Sequence, residues 1–229
     1  MNTRGFKKIT DWFDRVYVIN RPDRPRRLER FLKHITGNEL ADRHRILVYP
    51  GIMGERVSHP KDFIGGAGAW GCFRSHSNII ESVIMEREIM GEGLESILVL
   101  EDDVEFIHNP LAFLNHFMCN LPPDWDQIYL GGQHRAKPLE TEYAGVLRGI
   151  SVNRAHAYAL NRKVYKKFYS HINYSPNYYG KKNHHFDHQL EVAHRRQEWN
   201  VYCPSMWLAG QCAGKSDICN DDLESRIWH

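Results

Sequence analysis

Residues 96–106 read Ser-Ile-Leu-Val-Leu-Glu-Asp-Asp-Val-Glu-Phe. Ile97 to Leu100 has the length and aliphatic content of a strand buried on both faces. Such a strand cannot carry three carboxylates through a core, so Glu101, Asp102 and Asp103 must emerge where it ends. In open α/β sheets, ligands bind in the crevice beyond the carboxyl ends of the strands. Alternate residues of an extended chain share a side, so Glu101 and Asp103 can address one target. Convergent carboxylates repel one another unless a cation lies between them. An all-oxygen set of this kind suits Mg²⁺ or Mn²⁺. The competing reading is a strand-to-loop turn whose acids are solvated or cap the next helix.

Around this stretch, strand and helix patterns alternate from residue 15 to about 119, which predicts an α/β fold with a mainly parallel sheet. Arg15 to Asn20 reads as a first strand, followed by the turn Arg-Pro-Asp-Arg-Pro, with Pro25 opening a helix. Leu28, Phe31, Leu32 and Ile35 give that helix an apolar face. Arg45 to Tyr49 predicts a second strand. The glycine-rich 65–69 stretch precedes a long helix, Trp70 to Met90, closed by Gly91. Asn109-Pro110 opens a helix to about Phe117. Trp125 to Leu130 is a strand closed by Gly131-Gly132. Short strands at 146–147 and 156–160, a helix from Lys163 to Ile172, an exposed loop from Asn173 to Asn183, a helix from His184 to Arg195 and one or two strands within 201–208 complete the prediction. There is no repeat, low-complexity tract or clear linker, so the reading is one domain over residues 1–229.

Composition narrows the classes. The chain has 229 residues, enough for a substantial core, and no apolar run near the ~20 residues needed to cross a bilayer. A formal net charge of +2 does not favour a nucleic-acid partner, although Lys181-Lys182 and Arg195-Arg196 leave room for a local basic patch. The first 13 residues hold no apolar signal region, and the five cysteines (72, 119, 203, 212, 219) are odd in number, without a CxxC pair. Reduced thiols and a cytoplasmic location are the expectation. The spacing of Cys203, Cys212 and Cys219 matches no standard zinc pattern.

Four further segments carry candidate chemistry. Asn20 and Arg21 end the first strand, with Arg24, Arg26 and Arg27 following. Arginine forks at a strand–helix junction suit phosphate oxygens, and Arg24 and Arg27 fit this better than Arg26 or Arg30. The segment GAGAWGCFRSH (66–76) places glycines at a helix start, with Arg74, Ser75 and His76 one turn in. It is not a Walker loop. His184, His185, Asp187 and His188 form the densest polar cluster, able to ligate a metal or supply a base, or simply to sit on a hydrated helix face.

In order along the chain, VYVINRPDRPRR, GAWGCFRSH, ILVLEDDVEF, WDQIYLGG, HAYALN and GQCAGKSDI resemble segments of the family-25 glycosyltransferases, which include lipooligosaccharide and collagen hydroxylysine galactosyltransferases. The resemblance implies a GT-A fold, a UDP-sugar donor, Mn²⁺ or Mg²⁺, and inverting transfer. It assigns Glu101, Asp103 and His188 to the metal. The donor falls to Asn20, Arg21, Arg24, Arg27, Ser75, His76, Asp102, Gly131 and Gly132. Asp187 becomes the base, with Glu105 and Asp217 in reserve. Arg21 and Arg74 depart from the family pattern, and the acceptor stays open among glycan, lipooligosaccharide, hydroxylated protein and modified nucleobase. Two rivals are a metal-dependent hydrolase or nuclease and a non-catalytic nucleotide-sugar-binding module.

Overall fold

The structure is a computed structural model that describes residues 5–61, 63–173, 185–215, 222–223 and 226–227. All but the first residue of the loop expected over 173–183 lies outside that set, as do His184, Asp217 and Cys219. The elements in order are α1 (Ile9–Trp12), β1 (Arg15–Asn20), α2 (Pro25–Gly37), β2 (Ile46–Pro50), α3 (Gly66–Met90), β3 (Ser96–Glu101) and β4 (Val104–Phe106). Then come α4 (Pro110–Cys119), β5 (Gln127–His134), β6 (Leu139–Glu140), β7 (Val146–Arg148), β8 (Val152–Asn161) and α5 (Tyr165–Asn173). The chain continues with α6 (Phe186–Arg195), β9 (Val201–Pro204), β10 (Ala209–Gln211), β11 (Gly214–Lys215) and β12 (Asp222–Leu223).

The main sheet runs β2-β1-β3-β8-β5-β9-β7-β6. It begins parallel, with β1 between β2 and β3, and β5 is parallel to β9. β8 lies antiparallel between β3 and β5, and the β6-β7-β9 edge is antiparallel too. This is the α/β class that was expected, with the parallel β2-β1-β3 part inside a mixed sheet. A small antiparallel pair, β4–β10, stands beyond the end of β3.

Both sheet faces are covered, which explains why β3 is apolar without alternation. Val16, Val18, Leu98, Leu100, Ile128 and Leu130 pack toward Phe31 and Ile35 of α2 and Leu114 and Phe117 of α4. The alternate residues Tyr17, Ile97, Val99, Tyr129 and Tyr158 face Phe73 and Ile80 of α3, Phe168 of α5, and Phe186 and Leu190 of α6. The period-two side-chain alternation of strands therefore divides one sheet between two apolar layers. Among the described residues, no helix is long and apolar enough to cross a membrane.

Two elements differ from expectation. α3 begins at Gly66, so the glycines lie inside its first turns. The reason is a close crossing: a Cβ on Gly71 would stand 2.3 Å from the Ile52 carbonyl oxygen, and one on Gly54 would sit against the Ala67 carbonyl. β5 does not stop at Gly131-Gly132 but runs through both to His134.

Candidate active site at the end of the third strand

β3 delivers Glu101 to the edge of the core, and a two-residue turn presents Asp102 and Asp103 before β4 starts. Ile19 pairs with Glu101 in the parallel register, so Asn20 comes alongside Asp102. Asn20 Nδ2 donates to Asp102 Oδ2 at 2.6 Å and to the Arg24 carbonyl at 3.0 Å. Arg27 Nη2 lies 2.6 Å from Asp102 Oδ1 and 3.0 Å from Asp103 Oδ2. Gln211 on β10 reaches Asp103 Oδ2 at 3.4 Å, and the Cys212 amide and thiol both donate to the Asp103 carbonyl.

The three acids are held differently. Asp102 turns inward and is compensated by Asn20 and Arg27. Asp103 Oδ1 is buried with no hydrogen-bond partner among the described residues. Burial, then the neighbouring Glu101 charge, push the Asp103 carboxyl up to about 7, against the pull of Arg27. Burial also opposes ionisation of Glu101, but the hydrogen bond from His76, with the His156 and Arg27 fields, outweighs it and holds that carboxyl below its ordinary value.

His76 of α3 places Nε2 3.2 Å from Glu101 Oε1 and Nδ1 3.1 Å from the Tyr158 hydroxyl. Its ring stacks on Phe186 at 4.4 Å between centroids. Phe186 opens α6, whose first turn carries Asp187, where the helix dipole favours an anion. Cys72, Glu101, Arg154, His185, Asp187 and Gln211 line one cleft. Glu101 and Asp187 thus share a cavity.

The other predicted residues are placed as follows. Arg21 is engaged at the surface by Asp23 at 3.0 Å and Glu55 at 2.7 Å. Arg24 is the N-cap residue of α2. The Ser75 hydroxyl accepts from the Ile52 amide and donates to the Gly71 carbonyl, tying the loop after β2 to α3. His188 is half-buried beside His185, with ring centroids 5.4 Å apart. Glu105 is the exposed residue between two buried ones on β4. Gly131 and Gly132, expected beside the donor sugar, are closely packed where a Cβ would stand. A Cβ on Gly131 would meet the Ala209 carbonyl oxygen at 2.3 Å and His156 Nε2 at 2.5 Å, and one on Gly132 would meet Val152 and Trp207. Both glycines serve packing.

The residues at the turn fit a hard divalent cation. Glu101 and Asp103, whose Oδ1 has no partner among the described residues, supply oxygen donors where three carboxylates meet one close guanidinium, that of Arg27. Cys72, His76 and Glu101 also each bring a ligand atom within 4.8 Å of the others; Asp103 and His188 are not in that trio. Sequence reasoning missed Cys72, Arg154, Tyr158, His156 and Gln211. Cys72 and His76 stand at i and i+4 on one helix, a spacing that marks a shared face. Arg154, in a left-handed backbone at φ 74°, and Gln211 had no local signal.

No family model matches the chain. It is 30% identical over 154 residues to the probable inactive glycosyltransferase 25 family member 3 of Bos taurus, covering 60% of this chain and 24% of that protein. It is 31% identical over 139 residues to procollagen galactosyltransferase 1 of Danio rerio, covering 52% and 21%. Among solved structures, A197 from STIV superposes with a TM-score of 0.43 at 13% identity, over 93% of this chain and 97% of that one. The chain spans about a quarter of the length of the curated relatives it matches. Over roughly three fifths of its length, the chain is a homologue of glycosyltransferase 25 family members, procollagen galactosyltransferases among them.

Proposed function

We propose that this chain is a glycosyl-transferring unit that moves a hexose, galactose or glucose, from a UDP-sugar to an acceptor hydroxyl with inversion. The observation that carries the reading is Glu101, which ends β3 next to Asp102 and Asp103 and lines the same cleft as Asp187. The homology to glycosyltransferase 25 members supports the reaction class.

In this reading, Glu101 and Asp103 hold Mn²⁺ or Mg²⁺. The ion, when bound, acts as a Lewis acid that offsets charge on the departing nucleotide diphosphate. Arg27 and Asn20 keep Asp102 fixed, so that the turn stays in place as ligands come and go. Arg154 brings a guanidinium to the cleft that suits a diphosphate oxygen. Asp187 accepts the proton of the acceptor hydroxyl as it attacks the anomeric carbon from the side opposite the leaving group. Phe186 and Ala155 give the cleft apolar wall.

The test is a panel of nucleotide sugars with Mn²⁺ or EDTA, followed by nucleotide diphosphate release. UDP-hexose turnover that requires the cation is expected. Asp103→Ala should abolish it with circular dichroism unchanged, and cation-dependent turnover in that variant would remove Asp103 from the role. Asp187→Asn should lower turnover by about 10²–10⁴-fold with donor affinity nearly kept. A second reading, binding without catalysis, is favoured by the bovine and human relatives named inactive. It predicts cation-dependent UDP binding with no diphosphate release from any donor.

A further inference from the structure

We propose that Cys72, His76 and Glu101 form a binding site for a thiophilic divalent ion of the zinc class, which shares Glu101 with the hard-cation position at Asp103 and takes its other two donors from α3. The sulfur, nitrogen and carboxylate donors lie within 4.8 Å of one another. A thiolate together with an imidazole selects Zn²⁺ over Mg²⁺ or Mn²⁺. Three protein ligands with one open position is the arrangement zinc adopts where it also binds water or an anion.

The scaffold favours it. Cys72 and His76 project from one face of the 25-residue α3, one turn apart, and Glu101 ends a fully buried strand. The His76–Glu101 separation of 3.2 Å already matches the ligand–ligand edge of about 3.3 Å that zinc bond lengths give for a tetrahedron. His76 is oriented from behind: Tyr158, fully buried, meets Nδ1 with its hydroxyl, and Phe186 stacks on the ring. A hydroxyl both donates and accepts, so it serves the Nδ1–H tautomer that frees Nε2 for a metal. Closing the site asks three donor atoms already within 4.8 Å of one another to draw in to bonding distance, and the half-buried Cys72 thiol releases its proton to buffer on binding. Cys72 and Glu101 both line the cleft, so the fourth position opens there, next to Arg154. Nothing in this arrangement requires that the cleft accept a nucleotide sugar.

Cobalt is the probe. Reduced, metal-stripped full chain titrated with Co²⁺ should develop thiolate-to-cobalt charge-transfer absorption at one equivalent, displaced by Zn²⁺. The band should vanish in Cys72→Ser and persist in Cys119→Ser and Cys212→Ser. Cobalt bound without that band, or a band that survives Cys72→Ser, overturns the proposal. Should Cys72→Ser not fold, alkylation mapped by mass spectrometry on the unaltered protein decides. Zn²⁺ at ten times its Kd should slow Cys72 modification about tenfold and leave Cys119 unchanged. An unaltered Cys72 rate overturns the site. Glu101 serves both positions, so calorimetry of UDP with Mn²⁺ is run on Cys72→Ser, which keeps Glu101 and Asp103. Binding there tests the donor position, the Cys72 readouts test the zinc-class site, and either reading can fail while the other stands.

Discussion

Asp103 carries a buried carboxylate oxygen without a described partner, next to Asp102, whose two oxygens are both met by Asn20 and Arg27. The unequal treatment has a pH signature. A carboxyl raised from 3.8 to about 7 in the folded chain keeps its proton while the unfolded chain has already lost it. Stability therefore falls as pH rises through that window. Asp103→Asn should melt higher than the unaltered protein at pH 8 and equally at pH 4, read by thermal denaturation. Saturating Mn²⁺ should close the gap at pH 8. Arg27 is the counter-charge for both acids, and Arg27→Met strands them. A loss of roughly 2–4 kcal/mol in urea unfolding is expected, and a loss below about 0.5 kcal/mol would place the contact among weak surface pairs. The acids stand out in the sequence because three adjacent carboxylates cannot lie within a buried apolar strand. The choice of Arg27 over Arg24 and Arg21 was not. It depends on Pro25 starting α2, which puts Arg24 at the cap and Arg27 at the third helical position, facing back over the sheet end.

At the scale of elements, β1, β3 and the turn after β1 were readable from composition, since buried parallel strands are continuous apolar runs. β5 was not read to its end, because a glycine pair has the same local signature whether it closes a strand or lets another strand approach. Only the position of β10 decides. Gly131→Ala forces a Cβ into the Ala209 backbone, which the β4–β10 pair cannot yield without moving the acidic turn. A loss of about 1–3 kcal/mol is expected from chemical denaturation, with a larger fractional loss of Mn²⁺ affinity than of secondary structure. α3 was entered late for a related reason: its first glycines are there for the Gly54–Ala67 and Gly71–Ile52 crossings, which no periodicity reveals.

For the molecule as a whole, two buried histidines in the sheet–helix layer work against acid tolerance. Burial holds His194 at about 3 and His156 at about 4, both below the ordinary 6.5. The unfolded chain gains their protons as pH drops from 6.5 while the folded chain does not, so these two groups lower stability over that range, opposite in sign to Asp103. His194 is bonded to the Val152 amide and to Gln127, at the seam of β5, β8 and α6. His194→Gln should flatten the melting curve's dependence on pH between 6.5 and 4, at some cost in absolute stability. The Asn20–Asp102 bond joins residues 82 positions apart. The cleft also draws on Cys72, Arg154, Asp187 and Gln211. A pocket stitched from such distant stretches has to wait for long-range closure, which is slow. In refolding, ion capture should lag behind the appearance of helical signal.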